Sequence, residues 1–205
     1  MRIFLVRHGE TDGNAERVVQ VPETPLNPRG HEQARRVAAR LRAVGLRHVL
    51  SSDYARAYLT AHAIHQASGA PLRVETLLRE RHFGIHRGVR YSDLDVDLFA
   101  PDYAPPGGES VAMFDARVAR AWAAVTAFAT SVGEPVAVVS HAMVCRAMVE
   151  QHVERPDAEP IRWVNTAVAE IRPPERAGGR WSAVTVACSA HLDDTLIGRG
   201  QVAGI

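Results

Sequence analysis

Lysine is absent from this chain of 205 residues: all 24 of its basic side chains are arginine. That absence excludes a Walker-type phosphate loop, which needs a lysine after its glycines, and a Schiff-base enzyme, which needs a lysine amine. A protein kinase is excluded too, since a strand lysine must hold the nucleotide phosphates. Any anion handled here must be met by arginine, histidine, backbone N–H groups or a metal. Aromatic residues are only 6%, too few for a base-stacking platform. An excess of either charge is missing as well. The 24 arginines against 23 acids leave +1, which argues against nucleic acid or an anionic membrane as partner. Long apolar runs are missing: the opening run Ile3–Val6 has four residues, short of a secretory signal, and nothing approaches the roughly 20 of a membrane span. The two cysteines, Cys145 and Cys188, sit in apolar stretches without metal or redox spacing. Buried, reduced thiols in a cytoplasmic protein are the expectation.

What is present suffices for a substantial core, with 46% hydrophobic and 23% charged residues, and the length suits one domain over 1–205. Ile3–Val6 and Val136–Val139 are continuous apolar runs, the pattern of strands buried on both faces. Further strands are expected at 46–50, 72–77, 168–171 and 183–187. A helix over about 28–44 starts from Asn27 as N-cap with Pro28 at its first position. Ala34, Val37, Ala38 and Leu41 form its apolar stripe. Other helices are expected at about 54–67, capped by one of Ser51, Ser52 or Asp53, at about 110–131 and at about 143–152. Residues 80–108 are irregular, rich in proline and glycine at their end, and read as an insert or lid. Alternating strands and helices indicate an α/β fold: three layers, α/β/α, around a mainly parallel sheet. Ligands of such sheets bind beyond the carboxyl ends of the strands.

Three strand ends carry the residues of interest: Arg7-His8-Gly9-Glu10-Thr11, then Ser51-Ser52-Asp53 with Arg56 a turn later, then Ser140-His141-Ala142. One histidine at a strand end is more often structural than catalytic, and one arginine early in a helix is usually solvated. Two of each converging on one sheet edge form a cationic cluster that repels itself unless an anion occupies it. A phosphoryl group fits such a cluster best, with arginine forks, histidine donors and helix N-termini aimed at it. A neutral imidazole can then attack phosphorus, while arginines and the second histidine hold the equatorial charge. A general acid must protonate the leaving alkoxide, and Glu80, opening the irregular segment, is the candidate.

These residues resemble the histidine phosphatase superfamily, in the branch with cofactor-dependent phosphoglycerate mutase and its phosphatase relatives. The resemblance runs from about 2 to 171. It comprises Arg7-His8-Gly9-Glu10-Thr11 with Asn14, Pro25-Leu26-Asn27-Pro28-Arg29-Gly30 with Gln33-Ala34, and Ser51-Ser52-Asp53-Tyr54-Ala55-Arg56-Ala57 with Thr60-Ala61. Leu78-Arg79-Glu80 with Phe83-Gly84, Pro106-Gly107-Gly108-Glu109-Ser110 and Val138-Val139-Ser140-His141 complete it. The resemblance implies a phosphoglycerate mutase-like fold, His8 as phosphorylated nucleophile, Glu80 as acid/base, and Arg7, Arg56 and His141 on the phosphate. Asn14, Gln20, His82 and the backbone of Ala142 are implied as phosphate or substrate contacts. Neither cofactor nor metal is implied.

Departures from the family pattern bear on the subfamily. Ala142 stands where a glycine is usual, and Val21 follows Gln20 where a glycine is common. Phe83-Gly84-Ile85-His86-Arg87-Gly88 replaces the frequent Phe-Gly-Glu-Trp-Glu-Gly. Mutases hold the substrate carboxylate with a downstream lysine, where this chain has Tyr91, so hydrolysis of a small phosphate ester is favoured over phosphoglycerate interconversion. A mutase, or an inactive phosphate sensor on the same scaffold, are the alternatives. His62 and His65 lack a third metal ligand and read as a polar helix face. His82 and His86 read as pocket rim, either contacting substrate or solvated. Glu109 either joins the pocket or favours a helix N-terminus. Asn165-Thr166 is either a pocket contact or a turn, and the tail 189–205 either a flap or frayed.

Overall fold

In β1 (Arg2–Arg7) alternate side chains leave opposite faces: Ile3 and Leu5 enter one buried cluster, Phe4 and Val6 another. Both faces are therefore covered, the condition that a continuous apolar strand demands. The computed structural model describes residues 1–155, 160–176 and 178–197. The chain continues through α1 (Asp12–Ala15), α2 (Pro28–Ala43), β2 (His48–Ser51), α3 (Ala55–Ser68), β3 (Leu72–Val74), α4 (Val111–Val132), β4 (Pro135–Ser140), α5 (Ala142–His152), β5 (Val153–Glu154), β6 (Val168–Arg172), β7 (Trp181–Cys188) and α6 (Asp194–Ile197). The sheet order is β3-β2-β4-β1-β6-β7-β5. The pairs β3–β2, β2–β4, β4–β1 and β7–β5 are parallel, while β6 runs antiparallel to both β1 and β7. The stripes of α2 and α3 (Val37, Leu41, Ala57, Ile64) cover one face. Those of α4 and α5 (Phe114, Val118, Val125, Val144, Met148) cover the other. The three-layer, mainly parallel architecture is as expected.

Asn27 caps α2 as expected, its side chain accepting the Gly30 N–H at 2.8 Å with Pro28 in the first turn. The cap of α3 is a correction. Its N-cap is Tyr54, without a side-chain cap, because Asp53 is held by the Arg79 guanidinium (Nε to Oδ1 2.8 Å) and Ser52 Oγ faces His141. The strand expected over 72–77 ends at Val74. Beyond it the Glu75 carboxylate accepts the Leu77 N–H at 2.9 Å and turns Thr76–Leu78 into a 3-10 turn. Residues 80–108 hold two further 3-10 turns, Gly84–His86 and Tyr91–Asp93, around a small cluster of Val19, Phe83 and Leu98. Cys145 is buried but Cys188 is only half-buried, since it ends β7 near the sheet margin. The tail is docked as far as Ile197. Leu196 is buried, its carbonyl accepts from Gln33 Nε2 at 2.8 Å, and the Thr195 carbonyl accepts from Arg29. The rest of the tail, 198–205, read as either a flap or frayed, lies outside the described residues. No helix among the described residues is long and apolar enough to cross a membrane.

Candidate active site

The register of β1 against β4 pairs Arg7 with Ser140, so His8 and His141 leave adjacent parallel strands side by side. Their spacing is inherited from the sheet, where neighbouring strands lie about 4.8 Å apart. The two rings meet edge to face with centroids 5.2 Å apart, and the His8 N–H donates to the Ser140 carbonyl at 2.9 Å. Both side chains are buried, at 3% and 0% exposure. His8 Nδ1 lies 2.7 Å from the Gly9 carbonyl. A carbonyl only accepts, so Nδ1 carries the proton and Nε2 keeps its lone pair. Burial, then the cations Arg56 and Arg7, hold the His8 pKa well below its ordinary value, so the ring is neutral. His141 is held neutral by burial, Arg56 and His8. Its Nε2 contacts Ser52 Oγ at 3.0 Å, and its buried Nδ1 has no partner.

The loop after β1 is fixed from two sides. Gly9 meets Gly30 at the start of α2, where a Cβ would come within 2.6 Å of the Gly30 carbonyl oxygen, a closeness that only glycine permits. From the β6 side, Thr166 in the left-handed region (φ 58°) donates its N–H to the carbonyls of Arg7 at 3.1 Å and His8 at 3.3 Å. Asn165 Nδ2 donates to the His8 carbonyl at 3.0 Å and to Asn14 Oδ1 at 3.2 Å. Asn165-Thr166 is thus a brace beneath His8.

Arg7 donates to the Trp163 carbonyl, and Arg56, in the first turn of α3, donates to the Val21 carbonyl at 3.0 Å. Each leaves its buried Nε without a partner, a cost that a bound oxyanion would remove. Burial pulls both guanidinium pKa values down to about 10, which leaves them charged at neutral pH. Glu80 receives N–H bonds from Arg81 at 2.9 Å and Met143 at 3.4 Å. Protein atoms ring its carboxyl although part of the residue opens onto the cavity, and this desolvation raises its pKa against the pull of those bonds and Arg56.

Arg7, His8, Asn14, Gln20, Arg56, Glu80 and Ala142 all line one cavity. Seven of the residues read from the sequence are thereby brought together; His141, expected on the phosphate, is fully buried off this wall and meets the His8 ring edge to face. The α5 N-terminus, at Ala142 and Met143, brings its positive dipole end to the same space, with the Met143 N–H donating to Glu80. His82 is not on this wall. It lines an adjoining cleft with Thr76, Arg79 and Arg117, shared with Glu80 and Tyr54, and its Nδ1 accepts the Gly84 N–H at 2.9 Å. His86 contacts the Tyr103 hydroxyl at 2.6 Å. Glu109 pairs with Arg117 at 2.7 Å and accepts the His82 N–H, and Arg117 donates to the carbonyls of Leu77 and Arg79. That pair therefore braces the segment bearing Glu80.

Sequence reasoning did not place Arg17, Tyr54 or Arg87 on the cavity wall, yet all three line it, beside Tyr91, which the sequence aligns with the mutase lysine. Arg87 had a signal in its departure from the usual glutamate; Arg17 had none. The Tyr54 ring gathers three guanidinium groups, those of Arg56, Arg79 and Arg87, at 5.3, 5.8 and 5.7 Å. No cluster of three or more histidine, cysteine, aspartate or glutamate side chains suited to a metal occurs among the described residues. A neutral imidazole with a bare Nε2, two partly unpartnered arginines and a carboxyl of raised pKa can transfer a phosphoryl group.

Comparison with known proteins agrees. The sequence matches the family described as "Histidine phosphatase superfamily (branch 1)" over residues 3–189. It is 31% identical to "Probable phosphoglycerate mutase GpmB" of Salmonella paratyphi B, over 94% of this chain and 95% of that protein. A mycobacterial glucosyl-3-phosphoglycerate phosphatase, solved with VO3, superposes with a TM-score of 0.77 at 26% identity, covering 92% of this chain and 99% of that one. A phosphoglycerate mutase from Bacillus anthracis shares the fold, with a TM-score of 0.78 at 22% identity over 93% of this chain and 94% of that one.

Proposed function

The chain belongs to the histidine phosphatase superfamily, and from that premise we propose that it hydrolyses a small phosphomonoester through a phosphohistidine on His8. The observation that carries this reading is the Nδ1–H bond of His8 to Gly9, which leaves Nε2 unprotonated in a cavity walled by Arg7 and Arg56. The Nε2 lone pair attacks phosphorus, the ester P–O bond breaks, and the Glu80 carboxyl gives its proton to the departing alkoxide. Glu80, now a carboxylate, takes a proton from water as the water oxygen attacks the phosphoryl group. The N–P bond breaks, returning neutral His8 and protonated Glu80. Arg7, Arg56 and His141 hold the charge on the non-bridging oxygens, and the α5 N-terminus adds N–H groups.

Hydrolysis is favoured over mutase activity by Tyr91. It lines the cavity where a mutase would place its lysine, and burial pushes its pKa up to about 12, so it offers a neutral hydroxyl and no cation. The two free thiols support a cytoplasmic setting, and the arginine-based site supports activity that needs no metal.

The test is turnover of p-nitrophenyl phosphate with and without EDTA, together with a rapid quench in alkaline detergent. Wild type is expected to hydrolyse it in EDTA and to trap acid-labile, base-stable protein-bound phosphate. His8→Ala is expected to lose both. Full turnover by that variant would overturn the reading.

A further inference from the structure

Arg87 and Arg17 line the cavity of His8, yet the reaction above gives them no task. The Arg87 guanidinium donates to the Tyr54 hydroxyl at 2.6 Å, and no carboxylate pairs with it among the described residues. Its charge reaches Arg56, whose pKa it helps to lower. Arg17 is exposed, and its side chain has no partner among the described residues. Its backbone sits in the left-handed region, at φ 56°, which non-glycine residues seldom occupy unless surroundings impose it. The imposing contacts are a short ladder. Tyr91 N–H donates to the Arg17 carbonyl at 2.9 Å, Val19 N–H to Val89 at 2.9 Å, and Gly88 N–H to Val19 at 2.6 Å. The ladder holds Arg17, Arg87 and Tyr91 on one wall.

Arg81, another arginine of this cavity, shows by contrast what a structural arginine does here. Its guanidinium donates to the carbonyls of Glu109, Leu98 and Tyr103, at 3.1, 3.1 and 3.0 Å. The remaining four arginines (Arg7, Arg17, Arg56 and Arg87) face a single lining acid among the described residues, Glu80, and the chemistry requires Glu80 to be protonated at its start. Arg7, Arg56 and the histidines already match the transferring phosphoryl group. Two cations are left over at the mouth. We propose that Arg87 and Arg17 bind a second anionic group of the substrate, so that the preferred substrate is a phosphomonoester also carrying a carboxylate or a second phosphoryl group. This rests on the phosphatase reading, and it assigns the specificity wall to the ladder segment rather than to the strand ends.

The experiment compares kcat/KM for three matched esters at low ionic strength: propyl phosphate, 3-phosphonooxypropionate and 1,3-propanediol bisphosphate. At least one two-anion ester is expected to be favoured tenfold or more over propyl phosphate, chiefly through KM, and the preferred arm distinguishes carboxylate from phosphate. The advantage should shrink in 0.5 M salt. Arg87→Met and Arg17→Met should each cut the ratio severalfold, whereas Arg87→Lys, which keeps the charge and loses the fork, should retain part of it. Arg17 is on the surface, so its variant keeps the test open if Arg87→Met fails to fold. Hydrolysis of all three esters with ratios near one, or ratios unmoved by both Met variants, would overturn this inference alone. Failure of wild type to hydrolyse any of them would overturn the phosphatase reading and this inference with it.

Discussion

In the proposed reaction Glu80 is protonated when the alkoxide leaves and charged when water attacks, and its surroundings supply both tendencies. Burial raises its pKa, while the N–H groups of Arg81 and Met143 and the cations Arg56 and Arg117 pull the other way. Because the first step needs the acid form, kcat for a poor leaving group should fall as pH rises through the raised Glu80 pKa. His8 acts in the opposite sense: its Nε2 must be free, and since its pKa is depressed, that requirement fails only below the ordinary imidazole range. The pH profile of kcat checks this, and a rate that climbs steadily toward pH 9 would contradict it. Glu80→Gln should lower kcat by about 10²–10⁴-fold for poor leaving groups, whereas with p-nitrophenyl phosphate, whose phenolate leaves without a proton, the burst of p-nitrophenolate should persist and only the later hydrolysis of the phosphohistidine should slow. At this scale the sequence was informative where chemistry is written in strand-end residues: His8, Arg7, Arg56, His141 and Glu80 all stand together. It was uninformative where a role depends on which way a loop residue turns. His82 and Arg87 lie in the same short segment, and only the fold puts Arg87 on the main cavity and His82 on the adjoining cleft.

Among elements, the C-terminal segment has the least obvious role. His191 Nε2 contacts Thr166 Oγ1 at 3.1 Å, and Leu196 closes a relay in which Gln33 donates to its carbonyl and accepts the Glu10 N–H at 2.8 Å. Both contacts reach the two supports of the His8 loop, from behind the cavity rather than over it. Gln33→Leu removes both the acceptor of the Glu10 N–H and the donor to the Leu196 carbonyl and should cost about 1–3 kcal/mol, measured by urea unfolding, with a fall in kcat exceeding any change in KM. An unchanged kcat would show that the relay serves stability alone. Helices and central strands were legible because each carries a periodic apolar stripe or run with its own stop signal, as with Asn27-Pro28 at the start of α2. The β3 end and the α3 cap were not, since Glu75, Asp53 and Ser52 each had several local uses and tertiary partners chose among them. The relay through Gln33 joins residues 163 positions apart, and no local pattern announces such a pairing.

For the whole molecule, the site is a store of unfavourable electrostatics. His8 and His141 are buried neutral, with folded pKa values well below 6.5, and burial and Arg40 bring His191 down to about 4. The unfolded chain binds protons near pH 6.5 where the folded chain does not, so stability should decline as pH falls from about 6.5 toward 4. An occupying anion acts in the opposite direction, and phosphate or vanadate at about 100 times its Kd should stabilise by about 2.7 kcal/mol. Thermal unfolding across pH, with and without vanadate, measures both; a Tm that is indifferent to vanadate would contradict the anion-binding assignment. The sheet explains why the architecture could be read from the sequence while its margins could not. β1 and β4 are buried on both faces and read as apolar runs, whereas β7 is partly exposed along its length and β5 is two residues long.

The spacing of His8 and His141 by the β1–β4 ladder has a consequence for how the enzyme comes apart. Amides in the middle of that ladder, at Val6 and Val139, sit between covered faces and should exchange with deuterium only when the whole chain opens. The ladder of Val19, Gly88 and Tyr91 belongs to an irregular segment over a small cluster and should exchange earlier, through local opening. The two histidines would therefore keep their separation through fluctuations that release Arg17 and Arg87, and warming would erode choice among substrates before it eroded turnover.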